Sequence, residues 1–155
     1  MPLQLTSTAF NDAENIPSVY SCEGKNINPP LAWTDVPAGT KSFVLIMEDP
    51  DVPRNLRPDG LFIHWMVWNM PAGMTSIGED EIPAGVSGMN TSGGIGYRGP
   101  CPPHGSHRYY FRLYALDTDF ILPSTIYKGE LLQNMAGHIL DQAELMGRYE
   151  KKNLV

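Results

Sequence analysis

Three segments place acidic, imidazole and phenol groups in Pro-locked or apolar surroundings. Asp49-Pro50-Asp51-Val52-Pro53 directly follows an apolar run. Its prolines fix φ and withdraw backbone donors, so both carboxylates are held at the end of a buried strand. The plainer alternative is an ordinary Asp-Pro turn. His64 lies between Ile63 and Trp65, a setting in which a lone histidine is more often a hydrogen-bonded core residue than a ligand. If it faces the same cavity as Asp49, the carboxylate favours its imidazolium, which is a donor for an anion. The third segment, Gly96-Tyr97-Arg98-Gly99-Pro100-Cys101-Pro102-Pro103-His104-Gly105-Ser106-His107-Arg108-Tyr109, carries the strongest local signal. Its glycines permit close backbone approach and aim free N–H groups at a ligand, and its prolines stiffen the loop. His107 and Tyr109 then alternate onto one face as a strand begins. The competing reading is a structural crossover whose glycines only satisfy tight geometry. His104 is expected in solvent and His138 at the surface or its boundary.

Short apolar segments have to position these groups. Residues 42–47 (SFVLIM) form a continuous run with aromatic and β-branched members, which predicts a buried strand. Residues 62–69 (FIHWMVWN) are apolar on both alternating faces, as in a strand covered on both sides. Residues 108–116 put Tyr109, Phe111, Leu113 and Ala115 on one face and Tyr110, Arg112, Tyr114 and Leu116 on the other. Residues 4–10 are a weaker alternating candidate, and most of 15–37 reads as ordered loop. The Gly- and Pro-dense stretch 82–105 is long enough to be either functional or disordered. Near the C-terminus, Leu132, Met135, Ala136, Ile139, Leu140, Ala143 and Met146 recur at three- and four-residue steps. That period predicts an amphipathic helix over about 129–149, with Glu144 and Arg148 as an i, i+4 pair. The expected fold is mostly β: a sandwich of antiparallel sheets with long Gly/Pro-rich loops and a C-terminal amphipathic helix.

Composition narrows the function classes. The 155 residues suit one domain, 1–155, and with 42% apolar and only 18% charged residues the chain is not disordered. A net charge of −6 removes the usual electrostatic route to nucleic acid. No run reaches the roughly 20 apolar residues of a membrane helix, so no integral membrane contact is expected. The start Met1-Pro2-Leu3-Gln4-Leu5 has neither a basic nor an apolar signal region, and a cytoplasmic location is the expectation, although a mature chain stripped of its signal looks similar. Cys22 and Cys101 are too few for a disulfide scaffold and too far apart for a CxxC motif. A reducing compartment is therefore the default, with one bridge closing a long loop left open.

These segments, in this order, resemble the phosphatidylethanolamine-binding protein family, also called Raf kinase inhibitor-like proteins, and especially its compact bacterial and archaeal branch. The likeness runs from Ser21-Cys22-Glu23-Gly24 and Asn28-Pro29-Pro30-Leu31 through Asp-Pro-Asp-x-Pro and His-Trp-x-Val-x-Asn to Arg108-Tyr109. It implies a β-sandwich with a small cavity for phosphate, phosphate esters or a phospholipid head group. Carried across by position, Asp49 and His64 line that cavity and His107 and Tyr109 close its other side. Asp51 and the backbone of Gly99, Pro100 and Pro102 are implied as secondary members. Larger eukaryotic members cover the pocket with a C-terminal tyrosine, a feature this chain does not match, so neither Tyr127 nor Tyr149 receives that role. A contact between Cys22 and Cys101 is left open, bridged or reactive.

The leading expectation is a non-catalytic protein that binds a phosphate-like anion or phosphorylated small molecule without a cofactor. The resemblance adds a regulatory role through a protein partner such as a kinase or protease. One alternative is a protease or kinase inhibitor acting through a surface loop. A lesser one is an enzyme using the Asp/His/His cluster, either as a metal site or beside Cys101 as nucleophile. A homodimer is compatible with the sequence.

Overall fold

The computed structural model describes residues 1–152. In chain order the elements are β1 (Gln4–Thr6), a 3-10 turn (Ser18–Tyr20), β2 (Leu31–Thr34), β3 (Ser42–Asp49), β4 (Phe62–Pro71), β5 (Ser76–Ile77), β6 (Val86–Ser87), β7 (Ser106–Leu116), α1 (Lys128–Met135) and β8 (Ile139–Glu150). A three-stranded sheet, β1-β2-β5, packs on a five-stranded sheet, β6-β4-β3-β7-β8, and the pairings within both are antiparallel.

The middle strand β3 is buried along its whole length. Phe43, Leu45 and Met47 face the core between the sheets, with Trp33, Phe111 and Leu113. Val44 and Ile46 face the other way, against Met66, Trp68, Leu131 and Met135 under α1. Glu48 belongs to this second face, and its buried carboxylate meets Lys128 Nζ at 2.5 Å and Arg112 Nε at 3.4 Å. The start of α1 is thereby tied to the sheet by a paired charge.

The helix expected over 129–149 is mostly a strand. α1 ends at Met135, Gly137 takes φ +82°, and β8 then runs to Glu150 against the full length of β7. Ala143, Leu145, Gly147 and Tyr149 alternate inward, a period of two that the three- and four-residue steps had obscured. Pairing the open edge of an eleven-residue strand outweighed a weak helical preference. Glu144 consequently pairs with Arg112 across the strands at 3.4 Å. Arg148, four strand residues away and therefore about 13 Å distant, is not its partner.

The N-terminal segment covers the far end of β8. Ala13 N–H donates to Met146 O, Ile16 N–H to Arg148 O and Arg148 N–H to Glu14 O. That segment lies so close that a Cβ on Gly147 would stand 2.4 Å from Ile16 Cγ1 and 2.8 Å from Phe10 Cε2.

Cys22 and Cys101 form a disulfide across 79 residues of chain, which settles the question the sequence left open. In the chain-entropy picture a loop of that length is worth about 4.5 kcal/mol. No described helix is long and apolar enough to cross a membrane.

Replacing Gly147 by valine should overpack this seam and lower stability by about 1–3 kcal/mol. Urea unfolding followed by fluorescence checks it: the midpoint falls at an unchanged slope, and an unmoved midpoint would show that the seam yields freely.

Candidate functional site

A β-bulge sets up one side of the site. Across β3 and β4, Met47 pairs with Trp65 and Glu48 with Ile63, so His64 is an extra residue opposite the partner strand. Strict alternation would put His64 and Trp65 on opposite faces. The bulge leaves Trp65 in the inter-sheet core while His64 lines a cavity at the edge of that core.

The cavity has a volume of about 420 Å³. Asp49 closes β3 and His107 opens β7, and His107 Nδ1–H donates to Asp49 Oδ2 at 2.6 Å with both side chains buried. The second oxygen, Asp49 Oδ1, accepts from Asp51 N–H at 2.8 Å, so the Pro-locked turn fixes the carboxylate from behind. Burial pushes the Asp49 carboxyl above its ordinary range, and the His107 and Asp51 hydrogen bonds oppose that rise.

His64 is held differently. Its Nδ1 lies 2.6 Å from Arg98 O, and Arg98 N–H donates to His64 O at 2.9 Å. A carbonyl oxygen only accepts, so Nδ1 carries the proton and Nε2 keeps a lone pair. Burial pushes the His64 pKa down to about 4. The imidazolium expected from a neighbouring Asp49 is therefore not the resting state. Asp49 is engaged by His107, and the desolvated ring of His64 stays neutral.

Tyr109 completes the floor. Its ring lies 5.2 Å from that of His64 and 6.4 Å from that of His107. Its hydroxyl is buried near the Asp49 carboxyl group but makes no hydrogen bond of full geometry among the described residues. Burial first, and then the charge of Asp49, push its pKa upward, so it is a neutral phenol.

Of the expected site residues, Asp49, His64, Gly99, Pro102, His107 and Tyr109 line one cavity. Asp51 and Pro100 stand behind it. Asp51 receives Arg108 through Nη2 at 2.7 Å, Nε at 2.9 Å and the backbone N–H at 2.8 Å, which anchors the start of β7 beside His107. Pro100 O accepts from Cys22 N–H at 3.0 Å. Sequence reasoning passed over Val52, Leu56, Arg57, Phe62, Arg98 and Pro103, which also form the walls. Arg98 and Pro103 sat inside the quoted motif, whereas Leu56 and Arg57 lie in a loop with no local pattern to mark them. His104 is exposed, and His138 pairs at the surface with Asp117 at 2.7 Å. Tyr149 is buried away from the cavity, where its hydroxyl accepts from Ser21 Oγ at 2.9 Å. In this state Cys101 is bridged and so offers no thiolate nucleophile. Among the described residues no group of three or more His, Cys, Asp or Glu is arranged to hold a metal ion.

The neutral His64 has a consequence for stability. Its folded pKa of about 4 lies below the ordinary 6.5. Above pH 6.5 both folded and unfolded states leave it neutral and it adds no pH dependence. Between pH 6.5 and 4 the unfolded chain alone takes the proton, so stability falls with falling pH, by about 3 kcal/mol from this group. Urea unfolding from pH 7.5 to 4.5 should show that decline, and His64→Gln should flatten it; an equally steep decline in the variant would assign it to other groups.

Comparison with known proteins agrees with this architecture. The family model described as phosphatidylethanolamine-binding protein matches residues 6–150. The UPF0098 protein of Chlamydia trachomatis is 51% identical over 149 residues, covering 96% of this chain and 99% of its own length. That of Methanothermobacter thermautotrophicus is 46% identical over 155 residues, with 96% and 99% covered. The crystal structure of the homologue CT736 from Chlamydia trachomatis superposes with a TM-score of 0.94 at 50% identity, covering 97% of this chain and 99% of the other. Escherichia coli YbcL, described as a member of the mammalian PEBP family, superposes with a TM-score of 0.86 at 33% identity, with 98% and 100% covered. A β-sandwich whose strand order, bulged histidine and Asp–His pair frame one cavity, matched over nearly its whole length, belongs to the phosphatidylethanolamine-binding protein family.

Proposed function

We propose that the chain is a non-catalytic binding protein whose cavity takes a phosphate-type anion carried on a small organic group. The observation that carries this reading is the buried, unpartnered hydroxyl of Tyr109 in a cavity floored by two imidazoles. A buried hydroxyl without a partner is costly, and a ligand oxygen accepting from it removes that cost. Arg57 and Arg98 add two cationic side chains to walls that hold one carboxylate, Asp49, although the whole chain carries a net charge of −6.

The remaining walls are Val52, Leu56, Phe62, Pro102 and Pro103. A cavity of about 420 Å³ lies in the range of small-molecule sites and offers apolar surface that a bare inorganic anion does not use. A phosphate monoester with an apolar or aromatic substituent matches both parts.

The resting floor is rich in acceptors, because neutral His64 turns its donor toward Arg98 O. An anion placed beside it favours the imidazolium and so recruits a proton. Binding is thus linked to proton uptake, and affinity falls as pH rises above about 4 toward the pKa of the liganded His64.

Phenyl phosphate and inorganic phosphate, titrated calorimetrically at pH 5.5 to 8, test the reading. Phenyl phosphate should bind about tenfold tighter than inorganic phosphate, with an affinity that declines as pH rises. Because phosphate esters themselves titrate near pH 6, the proton is located by nitrogen NMR, where the His64 ring should shift to the protonated form on saturation at pH 6. Absence of binding by either probe at millimolar concentration would overturn the anion site. Binding with a neutral His64 ring would overturn the proton linkage alone.

A further inference from the structure

Residues 96–105 form one wall of the cavity through Arg98, Gly99, Cys101, Pro102 and Pro103. Up to Pro100 the segment is tied down by hydrogen bonds. Tyr97 OH donates to Tyr20 O at 2.8 Å, Arg98 N–H to His64 O at 2.9 Å and Gly99 N–H to Asn26 Oδ1 at 2.7 Å, while Pro100 O accepts from Cys22 N–H at 3.0 Å. Gly99 also sits where a Cβ would lie 2.1 Å from Tyr20 O, so this half of the wall is pressed against the 3-10 turn.

Beyond Pro100 the ties change character. Two of the next residues are prolines without N–H groups, and among the described residues no hydrogen bond reaches 101–105 before β7 begins at Ser106. The covalent link from Cys101 to Cys22, with Cα atoms 5.5 Å apart, is what fastens this half of the wall. Cys101 is exposed while Pro102 beside it is buried.

We propose that the Cys22–Cys101 disulfide is a reversible redox clamp on the cavity, holding the 101–105 wall in its binding position when oxidised and releasing it when reduced. The inference rests on the anion-binding reading for its functional consequence. A dithiol reductant is the co-reactant. Its thiolate attacks the sulfur of Cys101, the more exposed of the two half-cystines, the S–S bond breaks, and its electron pair leaves on the Cys22 sulfur, which takes up a proton. The second thiol of the reductant, deprotonating, then displaces Cys101 from the mixed disulfide, and that sulfur is protonated in turn. The protein gains two electrons and two protons, and the reductant ends as a disulfide. Binding must afterwards reorder a loosened wall, and that conformational entropy weakens affinity.

The test uses the full chain in three forms: oxidised, reduced with excess dithiothreitol, and as the Cys22→Ala/Cys101→Ala double variant. Phenyl phosphate is titrated into each at pH 6. The expected result is a Kd about tenfold weaker, equivalent to about 1.4 kcal/mol, in the reduced and double-variant forms, with unchanged far-ultraviolet circular dichroism. Equal affinity in oxidised and reduced protein would overturn the clamp. Global unfolding on reduction at 25 °C would overturn it too, since the bridge then acts on the whole fold. Should the double variant fail to fold, the reduced wild-type chain decides. If no form binds the probe, the anion reading fails and nitrogen NMR relaxation of the backbone decides the clamp by itself. Lower backbone order parameters at Cys101, His104 and Gly105 on reduction, with β3 and β7 unchanged, support it, and unchanged order parameters there overturn it.

Discussion

A carboxylate at the end of a fully buried strand has to find its partners inside the protein, and much of the site follows from how Asp49 does so. One oxygen accepts from His107 and the other from the Asp51 amide. The first contact joins β3 to the start of β7, and the second holds the turn between the prolines in a single shape. Asp51 in turn grips Arg108, the residue after His107, through three donors. Two acidic positions flanking Pro50 therefore clamp two consecutive positions of the neighbouring strand, with the first pair buried and the second partly open to water. The buried pair contributes orientation more than net stability, because desolvation of both groups offsets much of their attraction.

His64 obeys the opposite electrostatic logic in the same cavity. With Asp49 engaged elsewhere, burial keeps its ring uncharged, and Arg98 O fixes the tautomer. The cavity floor therefore combines a hydrogen-bonded carboxyl group, a neutral base and an unpartnered phenol. Such a floor responds to the charge of whatever enters, because the protonation state of His64 is set by desolvation and is not locked by an ion pair. The mostly apolar walls strengthen that response by excluding water.

Glycine and proline serve these groups in distinct ways. Gly99 lets the loop press its backbone against Tyr20 O, and Gly147 lets the N-terminal segment close over β8. Pro50, Pro53, Pro102 and Pro103 stiffen the two loops beside the cavity, but they withdraw N–H donors in doing so. In the second loop that loss leaves the disulfide as the fastening beyond Pro100. A wall made rigid by composition thus depends on a covalent bond for its final position.

The residues alone determined the sandwich class, the three long central strands and which side chains of 109–116 share a face, because period-two burial is local information. Six of the eight residues singled out line one cavity: Asp49, His64, His107 and Tyr109 stood in Pro- and His-bearing segments that marked them, whereas Gly99 and Pro102 were implied by the family resemblance. Tertiary structure decided the rest. Residues 139–150 are a strand because β7 offers an edge to pair, and no local period separates that outcome from a helix. His64 reaches the cavity through a bulge, a register event between two strands that neither strand's sequence encodes by itself. The partner of Asp49, the neutrality of His64 and the Cys22–Cys101 bridge are likewise distances between segments far apart in the chain. Sequence supplies the groups and their local stiffness, whereas pairing and desolvation are properties of the space they come to share.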